Sequence, residues 1–192
     1  MADNSSLPVA SGNETFANDD VGGVKYPRAK LAVGADGVAV DAAMTQVTAT
    51  FNRPANTTAY AANDAVNDNA TAGGGSSTLM SFTVAGERGS IRRIRIRKSD
   101  QTVATPTLRL WIYQATLTQS AGDNEAFTHP MADCVGFVDV AMTNAGTDDA
   151  TGFTNCDIPF VSAAFKAQLQ TLSAFTPASG ETFTVDAWYL PG

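Results

Sequence analysis

The runs Ile91–Lys98 (IRRIRIRK) and Thr107–Ala115 (TLRLWIYQA) alternate apolar and polar residues with a period close to two. That period puts successive side chains on opposite faces of an extended chain, so such runs bury one face only as β-strands against a core. In the first, Ile94 and Ile96 point one way and Arg93, Arg95 and Arg97 the other. In the second, Leu108, Leu110 and Ile112 oppose Trp111 and Tyr113. From Met44 the pattern recurs, with Val47, Ala49 and Phe51 on one face and Thr48, Thr50 and Asn52 on the other. Leu79–Val84, Val135–Met142, Phe153–Phe160 and Thr182–Leu190 read as further strands. Gly86, Gly89, the turn Gly34–Gly37 and the loop Asn63–Gly75 punctuate them. About eight strands at this spacing predict an all-β fold, an antiparallel β-sandwich that is jelly-roll-like. The absence of an internal repeat argues against a propeller or solenoid. Only Ala163–Leu172 shows helical spacing, with Phe165, Leu169 and Leu172 at i, i+4 and i+7. It predicts a short helix or turn there, with a strand through Leu169–Ala174 as the alternative.

The first part of the chain differs. Residues 1 to 23 carry turn and cap formers without periodicity and are expected to form an extended N-terminal arm. Val24–Val33 alternates in part, but Pro27 cannot donate a ladder hydrogen bond. That makes it an edge strand or a segment lying on a partner. The expected organisation is an arm and edge segment over 1–43 and a sandwich over 44–192. A chain of 192 residues buries enough surface to fold without a metal or a disulfide.

Net charge −7 disfavours a general nucleic-acid-coating role, because an acidic surface repels phosphates. No apolar run reaches the roughly 18 residues of a membrane span. The start, MADNSSLPVASGNETF, lacks the basic and apolar segments of a secretory signal, so the chain is expected to be made and used in the cytosol of its producer.

Candidate chemistry is sparse. His129, the single histidine, lies in the loop AFTHPMAD, and no G-x-S-x-G elbow accompanies it. Zinc would need His129, Cys134, Cys156 and Asp133 or Asp157, without the usual ligand spacing. Asp64 with Asp68 and Asp148 with Asp149 offer oxygens, but loop solvation and turn formation explain them better than calcium does. Cys134 and Cys156 are read as buried thiols, with a cross-strand disulfide as the alternative. Trp111, Tyr113, Trp188 and Tyr189 are packing residues or a sugar platform. No catalytic residue, cofactor or metal is assigned.

The charge map is sharper. Arg88, Arg92, Arg93, Arg95, Arg97 and Lys98 supply six of the twelve basic residues. Like charges in a row on one strand face are unfavourable unless acidic neighbours or a partner answer them. Arg93, Arg95 and Arg97 therefore face either carboxylates on adjacent strands or an acidic protein surface, where guanidinium forks bind bidentately. Nucleic acid fits less well, since no interleaved aromatics accompany the row.

Three stretches carry a resemblance. Gly22–Leu31 (GGVKYPRAKL) with Gly34–Gly37 (GADG) resembles the leading segment of tailed-phage structural proteins, approximately GGVKYQRVKLxxGADG, departing from it at Pro27. Arg53–Asp64 (RPANTTAYAAND) resembles the RPANTTAYAAxD signature of a family of phage virion proteins, and Thr171–Ser179 is similar to that family's final hairpin. The resemblance touches the beginning, middle and end of the chain and implies a non-enzymatic virion structural protein, most simply a capsid decoration or cement protein. It implies neighbours such as the major capsid protein or other virion proteins, homo-oligomeric assembly with a trimer among the candidates, and location on the virion. Neither membrane nor nucleic acid is an expected partner. The interface residues expected on this reading are Lys25, Tyr26, Arg28 and Lys30 in the arm and Arg93, Arg95 and Arg97 in the basic strand. The alternative is a tail or fibre module binding host glycan. Arg53 and Tyr60 are read as residues that fix a bend.

Overall fold

The computed structural model describes residues 44–69, 80–86, 88–99, 105–114, 121–128, 133–146 and 149–192, with the backbone of 4–9, 12–21 and 24–27. The chain divides into two units, Met1–Asp41 and Ala42–Gly192. In the first, β1 (Asn4–Val9), β2 (Gly12–Val21) and β3 (Val24–Pro27) form an antiparallel sheet in the order β1-β2-β3. Strands thus occupy much of the stretch read as an extended arm. β3 takes the edge position that Pro27 demands.

The second unit is an antiparallel sandwich. Its strands are β4 (Thr45–Asn52), β5 (Ala65–Val66), β6 (Met80–Thr83), β7 (Gly89–Lys98), β8 (Thr107–Tyr113), β9 (Cys134–Ala141), β10 (Thr143–Asn144), β11 (Ala150–Phe160), β12 (Ala164–Thr171) and β13 (Thr182–Pro191). The first sheet runs β10-β11-β7-β13-β4, and the second runs β5-β12-β8-β9 with β6 also on β12. The two-residue strands β5 and β10 aside, the first sheet takes the first, eighth, third and sixth strands in chain order. The second takes the second, seventh, fourth and fifth. That succession is the jelly roll, two Greek keys wound across two sheets.

The core is made by the period-two residues of facing strands. Ile94 and Ile96 of β7, Leu108, Leu110 and Ile112 of β8, and Phe183, Val185 and Ala187 of β13 have no solvent-exposed surface. Full burial of the Ile, Leu, Val and Phe side chains among these contributes about 1.5–3 kcal/mol each.

The stretch Ala163–Leu172, read as a short helix or turn with a strand through Leu169–Ala174 as the alternative, forms a strand, β12, over Ala164–Thr171. Its Phe165, Ala167 and Leu169 point into the core, and its backbone is bonded to β8 on one side and to β5 and β6 on the other. The helical spacing of Phe165 and Leu169 is equally a strand spacing of four. A central sheet position supplies ladder partners that an isolated ten-residue helix lacks. Phe165 stacks on Phe82 of β6 at 4.7 Å between ring centroids. Similarly, Ala65 and Val66, inside the expected loop Asn63–Gly75, form the short strand β5 and are fully buried.

A bulge also modifies β7. Trp188 of β13 pairs with Arg93, whereas Tyr189 pairs with Ile91, so Arg92 is an extra residue. The bulge resets the alternation and lets Ile91 and Ile94, three apart, both reach the core. At the β9–β11 end the sheets approach so closely that a Cβ on Gly152 would lie 2.3 Å from the Ala141 carbonyl oxygen.

Candidate functional site

Two arginine clusters stand out, and their environments separate structure from recognition. The first is the bend after β4. Arg53 is 2 % exposed, and each of its guanidinium nitrogens is used. Nε donates to Tyr60 Oη at 2.9 Å, Nη1 to the Ala178 carbonyl at 3.0 Å and to the Asn56 carbonyl, and Nη2 to Asn56 Oδ1 at 3.1 Å and Asp123 Oδ2 at 2.8 Å. Tyr60 donates a short hydrogen bond to Asp123 Oδ1, which also accepts from the Asn67 amide at 3.2 Å. The Tyr60 ring stacks on Phe175 at 4.8 Å. Burial, with the Asp123 charge and hydrogen bond, pushes the Tyr60 hydroxyl far above its ordinary value. Burial also raises Asp123, against the hydrogen bonds of Tyr60, Asn67 and Arg53 and the Arg53 charge. The knot ties the bend, the loop around Asp123 and the Phe175–Glu181 segment together. It leaves no donor or acceptor for a ligand, in keeping with the bend-fixing reading of Arg53 and Tyr60.

The second cluster is the outer face of the first sheet. The ladder registers set Asn155, Arg93, Trp188 and Gln46 in one row and Phe153, Arg95, Asp186 and Thr48 in the next. A third row holds Thr151, Arg97, Thr184 and Thr50. Asp186 is buried at the centre. It accepts from Thr48 Oγ1 at 2.7 Å, Gln46 Nε2 at 3.0 Å, Arg95 Nε at 2.9 Å and Arg97 Nε at 3.3 Å. Burial alone would raise its carboxyl, but the Thr48 and Arg95 hydrogen bonds and the Arg97 and Arg95 charges outweigh that and hold it below the usual carboxylate range. Arg92, turned outward beside the bulge, pairs with Asp157 at 2.9 Å.

Arg93 is different. Its guanidinium carbon lies 4.6 Å from the Phe153 ring centroid and 5.6 Å from that of Trp188, over which Arg95 also lies at 5.2 Å. Among the described residues Arg93 has no carboxylate partner, and its Nε is buried without a hydrogen bond. Phe153 beside it is 62 % exposed. Of the three arginines in the row, Arg95 and Arg97 share the one carboxylate of Asp186, and the face is cationic and aromatic in a chain of net charge −7.

The outer face of the second sheet makes the contrast plain. Its Arg109 is answered within the sheet by a two-pronged pair with Asp139 at 2.7 and 2.8 Å, and it lies over Phe137 at 4.1 Å. Trp111 is 8 % exposed, stacked on Phe127 and hydrogen-bonded through Nε1 to Gln170. Tyr113 on this face and Tyr189 in the core are also buried, so three of the four residues considered for a sugar platform are withdrawn from solvent.

Lys25 and Tyr26 fall on the backbone of β3, while Arg28 and Lys30 lie outside the described residues, as do His129 and Asp148. Cys134 and Cys156 are free, half-buried thiols. Burial and the Asp157 charge push the Cys156 thiol up to about 11, against Arg92. Asp64 accepts from the Ala61 amide at 2.6 Å and fixes its own turn. Among the described residues no group of three or more His, Cys, Asp or Glu is placed to hold a metal ion.

The arginine row is visible in the sequence and Trp188 is marked there as an aromatic candidate, but Asp186, Phe153 and the placing of Trp188 beside the row are not. The alternation of TFTVDAWYL puts Asp186 and Trp188 on one face, a usable signal, yet nothing local says that β13 lies beside β7. No family model and no curated protein matches the chain.

Proposed function

We propose that this chain is a non-enzymatic structural component of a phage virion, a capsid decoration or cement protein. The outer face of its first sheet binds an acidic surface on a neighbouring capsid or virion protein. The observation that carries the binding face is Arg93, stacked between Phe153 and Trp188 with no carboxylate partner among the described residues. Arginine and exposed aromatics are the side chains most enriched at the energetic centres of protein interfaces. An acidic partner would supply the missing anion through a bidentate contact. The assignment to a virion rests on the resemblance of GGVKYPRAKL and RPANTTAYAAND to phage structural proteins. A jelly-roll sandwich whose conspicuous polar knot holds loops together suits a particle component. Homo-oligomeric assembly and the contribution of Lys25, Tyr26, Arg28 and Lys30 to attachment belong to the same reading.

Imaging particles of the encoding phage that carry a gold-labelled copy tests the location: label on the capsid shell is expected, and label confined to the tail or absent overturns it. The glycan-binding alternative draws on Trp188 and Phe153 alone. Specific hits on a glycan array, lost on Trp188→Ala, would favour it.

A further inference from the structure

The sandwich treats its sheet ends unequally. β5 and β6, at one end of the second sheet, are two and four residues long. β9, at the other, carries Gly136 and the charged Asp139, has a bulge opposite Ile112 and Tyr113, and packs closely under β11 at Gly152. In the first sheet β11 is partly capped by β10, and its remaining length holds Asp157, Pro159 and a register shift between Asn155 and Ile158. Short strands, charges, prolines and bulges are the devices by which natural sheets prevent edge-to-edge pairing.

β4 has none of them. It is eight residues long, TQVTATFN, without charge, proline or glycine, and its pairing with β13 runs unbroken from Thr45–Tyr189 to Asn52–Thr182. Among the described strands it pairs on one side only. Its free backbone groups can be assigned. The Arg53 amide donates to Glu181 O on the β13 side and the Ser99 amide to Thr182 O on the β7 side, so residues 47, 49 and 51 bond β13. By alternation, the amides and carbonyls of Gln46, Thr48, Thr50 and Asn52 face outward. Val47, Ala49 and Phe51 point to the core yet stay partly exposed, since among the described strands none pairs with β4 on this side.

We propose that β4 is a self-association edge: two copies of this chain join β4 to β4 antiparallel about a two-fold axis at Ala49, continuing the first sheet across both molecules. The occupant is a second copy because β4 complements itself. The outward-facing residues can exchange bonds only with one another. Centring on Ala49 pairs Gln46 with Asn52 and Thr48 with Thr50 as bonded pairs, and sets Val47 against Phe51 on the core side. Amides meet amides, hydroxyls meet hydroxyls, and the half-covered apolar groups complete their burial. Such a contact is isologous and closes at two. It does not depend on the virion reading.

Sedimentation velocity on the full chain over a concentration series is expected to show a species of twice the 19.9 kDa chain mass. Thr50→Lys raises the dissociation constant at least about tenfold, the effect of about 1.4 kcal/mol. Thr143→Lys, the same charge at the other end of that sheet, leaves it unchanged. In hydrogen exchange on the wild type, the amides of residues 46, 48, 50 and 52 are slow when concentrated and fast when dilute, while those of 47, 49 and 51 stay slow. A monomer at all concentrations, or an oligomer indifferent to Thr50→Lys, overturns the proposal. So does slow exchange at 46, 48, 50 and 52 that survives dilution, which would mean that the chain covers its own edge.

Discussion

Arg53 and Arg93 are the same residue type on one sandwich, and their surroundings give them opposite meanings. Arg53 is buried with every nitrogen hydrogen-bonded, and its carboxylate partner, Asp123, is buried with it. Arg93 is half-exposed, held by two aromatic faces, with a buried Nε that has no acceptor. A buried charge in a closed network is paired because leaving it unpaired is too costly, so the network is structural. A cation positioned by stacking but left unpaired at the surface has its strongest contact still to make. The difference lies in satisfaction rather than in charge, and it directs attention to the sheet face and away from the bend whose sequence is the more conspicuous.

The comparison can be broken from either side. The largest effect is expected at the knot. Asp123→Ala leaves the Arg53 guanidinium buried without its anion, and denaturant unfolding should show a loss of about 3–5 kcal/mol. A loss below about 1 kcal/mol would mean that Arg53 is not held by Asp123. Tyr60→Phe keeps the ring stack on Phe175 and removes one hydroxyl, so a loss of about 1–3 kcal/mol is expected from the same measurement.

An intermediate effect belongs to Asp186, which serves both fold and face. Its folded-state pKa is depressed, so its charge stabilises the fold above the ordinary carboxylate value of about 4, and that contribution is lost as pH falls through the depressed value. Thermal unfolding followed from neutral pH to about pH 2 should show a melting temperature that falls less steeply on acidification in Asp186→Asn than in the wild type. Parallel curves would remove Asp186 as the anchor of Arg95 and Arg97. The smallest stability effect is expected at Arg93. Arg93→Gln forfeits only exposed cation–π contacts, about 0.5–1 kcal/mol, and leaves the circular dichroism spectrum unchanged.

The strands that were legible in the sequence are those whose alternation is strict and whose inner face is apolar. β7, β8 and β13 are the clearest, and strands of that kind in that number were enough to point to a jelly roll. β12 was ambiguous because Phe165 and Leu169 satisfy a four-residue spacing in either geometry. What decides is its place between β8 and the β5–β6 pair, a non-local fact. β5 was hidden because two small apolar residues in a Gly- and Asn-rich loop carry no periodic signal. The arginine row was readable from β7 alone. Its answer was not, because Asp186 and Trp188 lie 91 and 95 positions beyond Arg95 and Arg93 and meet them only through strand order. Asp123 was the least visible member of the knot, 70 residues from Arg53 in a polar turn.

Whether the cationic aromatic face binds a partner or is merely solvated is decided best at Arg93, since Arg95 and Arg97 also hold Asp186. Under the proposed virion role, particles stripped of this protein would be incubated with the wild type or with Arg93→Glu, and bound protein measured by co-sedimentation at low and high salt. Arg93→Glu is expected to lose occupancy while keeping the wild-type melting temperature within a few degrees, with the larger difference at low salt, where surface charges are least screened. Equal occupancy of the two proteins at both salt concentrations would contradict it.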